Sequence, residues 1–505
     1  MSERTAVVPS LNPQQALTPE EVKKGLVRVI GDGVTTHALI TLTGGIFIVA
    51  FALQMGASNT VIGLLAAIPP LAALIQLPAV SLINRIRNRR LICVATSSLS
   101  RTLWLGIAAV PFFFLPDVAL PVFIVLLMLY MVISAVGQCA WSSWMRDLVP
   151  REILGSFFSR RWSISMSVGI ILSLAAGYFI DVWGTAHPGS IVTGYSYIFV
   201  AGVIVGYIGV YFIATIPEPR MDTPDKTSFL ATFRASLAQP NFRRLLRFLA
   251  LWNFAVNLAA PFFTVYLIRN IHLDLSLIIG LSVLSQVVSV LSFPLWGAII
   301  DRFSNKTALS LAGPLFMIAI LGWTFTTMPG PTPLTLPLLV ILHALMGLST
   351  AGVTLSSGYI GLKLVPRKTA TAQLAVIGVT NSLVAGIAPV IGGLCVDFFA
   401  ASDLEWTLTW RNSGSVVALH TLSLQNWDFF FVFAFVIGLL SLHLLAYVQE
   451  EGEVDRRLVV QEILVQVRRE MRNFSTAGGL RLMLHLPLTA TEKESPVPEE
   501  VQRLP

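Results

Sequence analysis

Charge is what this chain has least of. Only 12% of its 505 residues are Asp, Glu, Lys or Arg, where a soluble protein carries roughly 25%, and 55% are hydrophobic. Too little charge remains to wet the surface of a soluble globule, so a polytopic membrane protein is expected. Cysteine is nearly absent: Cys93, Cys139 and Cys395 each fall within an apolar run, which implies no disulfide framework. No Gly-rich phosphate loop, no Cys/His metal spacing and no convergent set of histidines and carboxylates occurs. No cofactor or metal is therefore expected, and a membrane-embedded enzyme is disfavoured. The first 25 residues lack the apolar core of a signal peptide, so no cleaved leader is expected.

What fills the chain is apolar runs of span length. They fall near 31–54, 60–84, 91–115, 119–144, 162–183 and 194–216, then, after a polar segment at Pro217–Phe242, near 244–268, 275–300, 307–327, 334–360, 371–399 and 427–448. The chain divides into a 1–30 N-terminal segment, a 31–217 six-helix half, a 218–243 linker, a 244–448 six-helix half and a 449–505 tail. In that tail Glu451–Asn473 reads as an amphipathic helix, and the Pro- and Glu-rich residues 490–505 read as disordered. Of the 34 Lys and Arg, 31 lie in the termini and in alternate loops on one side. Only Arg269 and Arg411 lie on the other side, and Arg101 lies inside a run. The positive-inside rule puts both termini in the cytoplasm, in a plasma (inner) membrane. The basic excess thus reports topology, and no nucleic-acid partner is expected.

The halves read as copies. A shift of 217 places Gly63 on Gly280, Asn84 on Asp301, Arg85 on Arg302 and Arg89 on Lys306. A shift of 216 places Val149-Pro150-Arg151 on Val365-Pro366-Arg367, Gly177 on Gly393 and Asp181 on Asp397. The turn after the eighth run, Gly297-Ala-Ile-Ile-Asp301-Arg302-Phe-Ser-Asn-Lys306, has a small residue for close helix approach, an aspartate suited to a helix N-terminus, and basic anchors. This Gly-x-x-x-Asp-Arg-x-x-x-Lys turn resembles the loop signature of the major facilitator superfamily, and parallel six-helix repeats are that superfamily's build. The resemblance covers roughly residues 27–448. It implies an all-α membrane protein of twelve helices in two pseudo-symmetric six-helix bundles, a monomer, and a secondary active or facilitative transporter of a small molecule working by alternating access.

The resemblance also implies a central cavity lined by the first, fourth, seventh and tenth helices, assisted by the second, fifth, eighth and eleventh. Polar residues inside these spans carry two readings each. Arg101 is either an anchor for an anionic substrate group or an internal brace, with Asp32 as a partner. His37, with Thr41 beyond it, and His343 are either substrate or proton ligands or satisfied interhelical donors. Asn253 and Asn257, one turn apart, with Gln286 and Asn381, suit a polar uncharged substrate or serve as interhelical glue. Gln138 and Trp141 share a side of the fourth helix, where Trp141 suits stacking, and Trp144 suits the interfacial aromatic belt. Pro261, Phe262, Phe263 and Tyr266 are a gate or core. Asp181 and Asp397, because they repeat, read as structural.

Gating is assigned to Asn84, Arg85, Asp147, Gly297, Asp301, Arg302 and Lys306, with Asp147 and Arg85 in one charge network as the family likeness implies. Asn84 and Val80 replace the aspartate and glycine in the N-terminal copy, which shifts weight onto Asp301. The fourth helix lacks the arginine, and the fifth the Gly-Pro element, of the drug/proton antiporter branch. A similar string, Gly386-Ile-Ala-Pro389-Val-Ile-Gly392-Gly393, falls on the eleventh. No Asp or Glu falls at mid-depth, leaving Asp32, His37 and His343 as candidates for coupling to a proton or other ion, with facilitated diffusion and exchange open. Few charges and many aromatics favour a neutral or amphipathic solute. The alternative from another class is a transporter-like sensor or scaffold presenting its tail.

Overall fold

The computed structural model describes residues 13–14, 17–150, 153–221, 237–327, 333–364, 370–412 and 415–450. The 451–505 tail, Arg151, most of the linker and Val365-Pro366-Arg367 lie outside the described residues, as do the side chains of Asp301 and Lys363.

The first span begins earlier than its hydropathy suggests and is not continuous. Helix α1 (Pro19–Thr43) starts in a capping box: the Glu21 N–H donates to the Thr18 hydroxyl at 3.3 Å, and the Thr18 N–H donates to the Glu21 carboxylate at 2.8 Å. It ends at Gly44, and Gly45, at φ +54°, takes a left-handed turn open to glycine before α2 (Gly45–Gln54) resumes the crossing. The second span is broken too. Pro69 and Pro70 sit inside α3 (Asn59–Ala73), and α4 (Gln76–Ile86) leaves it at 40°. The half closes with α5 (Arg89–Phe113), α6 (Pro116–Leu148), α7 (Leu154–Ala186) and α8 (Ile191–Thr215).

The second half repeats the pattern with α9 (Pro240–Arg269), α10 (Leu275–Arg302), α11 (Asn305–Gly322, then a 3₁₀ turn Trp323–Thr326), α12 (Thr335–Leu364), α13 (Ala370–Phe399) and α14 (Trp427–Leu445). Among the described residues, eleven spans are single helices or near-continuous pairs long and apolar enough to cross, and bent α3–α4, taken as one span, makes the twelfth. Apolar side chains such as Phe113, Leu291 and Phe398 are exposed on the outside, as lipid contact requires.

Each half has its own core. In the first, Val29, Ile83, Ile92, Ala140, Trp144, Met145, Leu148 and Ile213 pack together. Trp144 is fully buried there and donates its indole N–H to the Pro217 carbonyl at 3.1 Å, so it belongs to this core and not to an interfacial belt. In the second, Phe263 stacks on Trp323 at 4.6 Å, with Phe262, Tyr266, Trp427, Phe430 and Phe431 around them. The residues Phe262, Phe263 and Tyr266 are therefore core.

One carboxylate follows the last helix of each half and secures the third. Glu218 accepts from the backbone N–H of Arg89 and Arg90, at 2.8 and 3.0 Å. Glu450 accepts from Asn305 and Lys306 in the same way, at 3.2 and 2.7 Å. Each puts a buried anion on a helix N-terminus.

Between α13 and α14 the chain forms an antiparallel hairpin, β1 (Asp403–Asn412) and β2 (Ser415–Gln425). Its register shifts between Trp406 and Thr407, where Leu422 and His420 are the successive partners, so one extra residue is accommodated as a bulge.

Candidate functional site

Charged groups at membrane depth gather on the inner side of the first half. Asp32 of α1 is buried and pairs with Arg161 of α7 at 3.5 Å. The Arg161 guanidinium also donates to the Val29 carbonyl at 3.1 Å and lies 4.8 Å over the Trp141 ring of α6, a cation–π contact. Gly33 makes room for it, because any Cβ there would strike the Arg161 side chain. One turn on, Thr36 donates to Asp32 at 3.1 Å. Further along α1, His37 meets Trp162 edge-on at 5.5 Å, and a Cβ on Gly169 would collide with His37 and Thr41. Helices α1, α6 and α7 thus bring Asp32, His37, Thr41 and Trp141 together. They add Arg161 and Trp162, which hydropathy placed outside the membrane or at its edge.

Arg101 stands apart. It is buried between α5 and α8, donating Nε to the Gly206 carbonyl at 2.7 Å and an Nη to Ser97 O at 2.9 Å. Its other Nη reaches the Thr36 hydroxyl at 3.4 Å, so Thr36 links it to Asp32 only indirectly. His343 is also enclosed, with Nδ1 at 2.8 Å from the Leu339 carbonyl and its ring against Trp323.

The second half supplies amides. Asn253 and Asn257 are half-buried on α9, and each donates its NH₂ to the carbonyl four residues back at 2.8 Å. Gln286 on α10 and Gln138 on α6 are exposed and make only weak local bonds, at 3.4 Å. Asn381 on α13 is half-buried, and its side-chain oxygen has no hydrogen-bond partner among the described residues.

The two halves meet at the end opposite the arginine-rich face. Asp397, at the end of α13, accepts from the Thr60 N–H at 3.0 Å and the Asn59 side chain at 2.8 Å, capping the start of α3. Asp181, at the end of α7, accepts from the Leu275 and Ser276 N–H groups at 3.2 and 3.0 Å, capping the start of α10. The same 216-residue shift relates Asp181 to Asp397, Asn59 to Leu275 and Thr60 to Ser276, so the clamp is made twice. Glycine lets the helices close: a Cβ on Gly63 would strike the Pro389 carbonyl, one on Gly393 the Asn59 carbonyl, and one on Gly177 the Ile279 side chain. Arg269 adds bonds to the Ala57 carbonyl at 2.6 Å and Asn59 Oδ1 at 3.2 Å. Among the described side chains, every hydrogen bond between the halves lies here.

Among the described residues, the ion pairs at the arginine-rich face lie within the first half. Asp147 pairs with Arg89 and with Arg146, not with Arg85. Arg85 and Asn84 sit at the end of α4, Arg85 exposed and outside any ion pair among the described residues. Arg302 lies over Phe303, and the Lys306 ammonium donates to the Ala446 carbonyl at 3.3 Å. Asp301 lies in the last turn of α10. Among the described residues, a Cβ on Gly297 would meet nothing within 4 Å, so the close approach expected of that glycine is not made with them. Arg89, buried and bound also to Glu218, is the central cation of this face, a role that burial alone reveals.

A sequence model of the Major Facilitator Superfamily matches residues 34–389. No curated protein matches the chain. Among solved structures, the nucleoside transporter NupG is similar at TM-score 0.59 and 13% identity, over 84% of this chain and 99% of that one. The xylose transporter XylE from E. coli, in an inward open conformation, is similar at TM-score 0.59 and 15% identity, over 86% and 98%. A bacterial homologue of the human lysosomal transporter Spinster, inward-facing and unoccupied, is similar at TM-score 0.54 and 16% identity, over 76% and 84%. Identities this low carry the fold alone. The family match spans most of the chain, and with twelve spans in two repeated halves it makes this protein a member of the major facilitator superfamily, a secondary transporter.

Proposed function

We propose that the protein carries a small neutral or amphipathic solute by alternating access, and that the structure is its state open to the cytoplasm. The carrying observation is the one-sided seam: the halves are bonded at the end away from the basic face, which positive-inside asymmetry assigns to the cytoplasm of a plasma-membrane protein. The halves run over 31–217 and 244–448, joined by a 218–243 linker, with 1–30 and 449–505 cytoplasmic and the protein a monomer.

The solute is contacted on one wall by His37, Thr41, Trp141 and Trp162, and on the other by Asn253, Asn257, Gln286 and Asn381. Asp32 and Arg161 neutralise each other, which leaves amides, a hydroxyl and ring faces to meet the solute and favours an uncharged one. Asp32 is also the coupling group. A proton on its carboxylate would weaken the hold on Arg161 and loosen α1 from α7, the kind of local charge change that biases a two-state element. Arg101 braces α1, α5 and α8, and His343 stays in its core.

The test is solute-driven thermal stabilisation of the purified protein across a metabolite panel, followed by uptake of each hit into liposomes at two pH values. A hit transported in the wild type, with uptake responding to a pH gradient in wild type and not in Asp32→Asn, is the expected result. Hits that are all strongly anionic, or a gradient response that survives Asp32→Asn, would refute the site and its coupling.

A further inference from the structure

A surface pocket at the basic end of α9 and α14 is used by none of the above. It is lined by Arg244 and Arg247, one turn apart on α9, by Leu444 on α14 and by Tyr447 in the turn just beyond it. The ends of the two helices are tied beside it: the Asn241 NH₂ donates to the Gln449 carbonyl at 2.8 Å, and the Gln449 N–H donates back to Asn241 Oδ1 at 2.9 Å. Arg244 makes one long bond, to the Tyr447 carbonyl at 3.4 Å. Among the described residues neither arginine is in an ion pair, and Arg247 makes no hydrogen bond. Two exposed guanidiniums in one pocket invite an anion with several oxygens, and phosphate fits their fork geometry.

A second feature runs out of the pocket. On α14, Phe433, Val436, Leu440 and Leu444 follow helical spacing down one side, all but half-buried Leu444 well exposed, and exposed Tyr447 lies in the turn that follows. From Phe433 to Leu444 the stripe is about 16 Å long at ~1.5 Å per residue, about half of the ~30 Å hydrocarbon core. An apolar track of acyl-chain length that ends in an arginine pair matches a lipid better than a free ion.

We propose that this pocket binds the phosphate headgroup of an anionic phospholipid from the leaflet at the basic face, with an acyl chain along the α14 stripe. The guanidiniums take the phosphate oxygens and Tyr447 flanks the glycerol region, as basic pockets between membrane helices do for acidic lipids. A zwitterionic lipid brings a second cation to two arginines and is disfavoured.

Native mass spectrometry of the full-length protein, titrated with phosphatidylglycerol, phosphatidylcholine or inorganic phosphate, tests this. Phosphatidylglycerol is expected to bind tightest. Each basic residue near a membrane surface is worth about fivefold in affinity, so Arg244→Gln/Arg247→Gln should weaken phosphatidylglycerol by about 30-fold. Leu440→Gln should weaken the lipid and leave inorganic phosphate unchanged. Should the double variant unfold, Arg247→Gln alone, on an exposed side chain, carries the test with about a fivefold loss. The proposal is overturned if phosphatidylcholine binds as well, if the arginine variants keep wild-type affinity for phosphatidylglycerol, or if inorganic phosphate matches it. The last result would identify a soluble-anion site.

Discussion

At the scale of single residues, the account turns on which buried charges are balanced and by what. Asp32 and Arg161 are each other's main partner inside the bundle. Removing one member of a buried pair leaves the other uncompensated, at a cost of about 3–5 kcal/mol. Asp32→Asn is therefore expected to lower the unfolding midpoint of the lipid-embedded protein. Asp32→Asn/Arg161→Gln should recover part of that loss, and a double-mutant cycle measures it. Strict additivity of the two single changes would show that they do not interact. Arg101→Leu makes a contrasting case. Its guanidinium bonds to Gly206, Ser97 and Thr36, so the variant should lose stability while solute affinity changes less than twofold in a binding assay. Asn257→Ala should do the reverse, weakening solute with little loss of stability.

Much of this was readable beforehand as a roster and little of it as partnerships. Asp32, His37, Thr41 and Trp141 could be named because polar groups are costly within apolar runs. Arg161 could not, since it lies at the start of a run, where arginine is ordinary; only the length of its side chain and the missing Cβ at Gly33 let it reach inward. Trp144 misled for a similar reason: its position near a span end suggested an interface, but its indole is used by Pro217 inside the core.

At the scale of elements, glycine decides which helices close and where. A Cβ on Gly63 or Gly393 would meet backbone atoms of the opposite half, whereas one on Gly297 would meet nothing among the described residues. Overpacking a fitted contact costs about 1–3 kcal/mol. Gly63→Val should therefore open the seam, raising the thiol reactivity of a cysteine placed at Thr60. Gly297→Val should leave this state untouched and slow transport by blocking closure at the basic face, where the loop signature implies close packing. Equal effects of both variants on thiol reactivity would contradict the assignment of the two ends. The repeat foretold that Gly177 matches Gly393 and Asp181 matches Asp397, because copies keep such residues in register. It did not reveal that each aspartate caps a helix of the other half, since contact across the seam has no sequence spacing. The hairpin is not legible from hydropathy: Asp403–Asn412 and Ser415–Gln425 carry too few apolar residues for a span, and their pairing is recorded only by alternation of side chains.

At the scale of the whole molecule, the energetics suit a carrier. A carboxylate on a helix N-terminus is worth about 0.3–1 kcal/mol, so the two caps with the Arg269 bonds add only a few kcal/mol to the helix packing at the seam. That is the range in which a solute or proton can reverse a population. Twelve spans in two repeated halves were legible from hydropathy and offset; the broken first and second spans were not, since Gly44–Gly45 and Pro69–Pro70 interrupt runs that stay apolar throughout.

The central claim is that the halves exchange closure between ends, with the paired aspartate caps as the lock away from the basic face. The most direct measurement is spin-label distance in the bilayer, with one pair at Ser58 and Ala400 and another at Arg85 and Arg302. The account predicts a short first distance and a long second one in the wild type, with Asp181→Asn/Asp397→Asn lengthening the first population as the second shortens. Distances that move together, or that stay unchanged in the double variant, would contradict it.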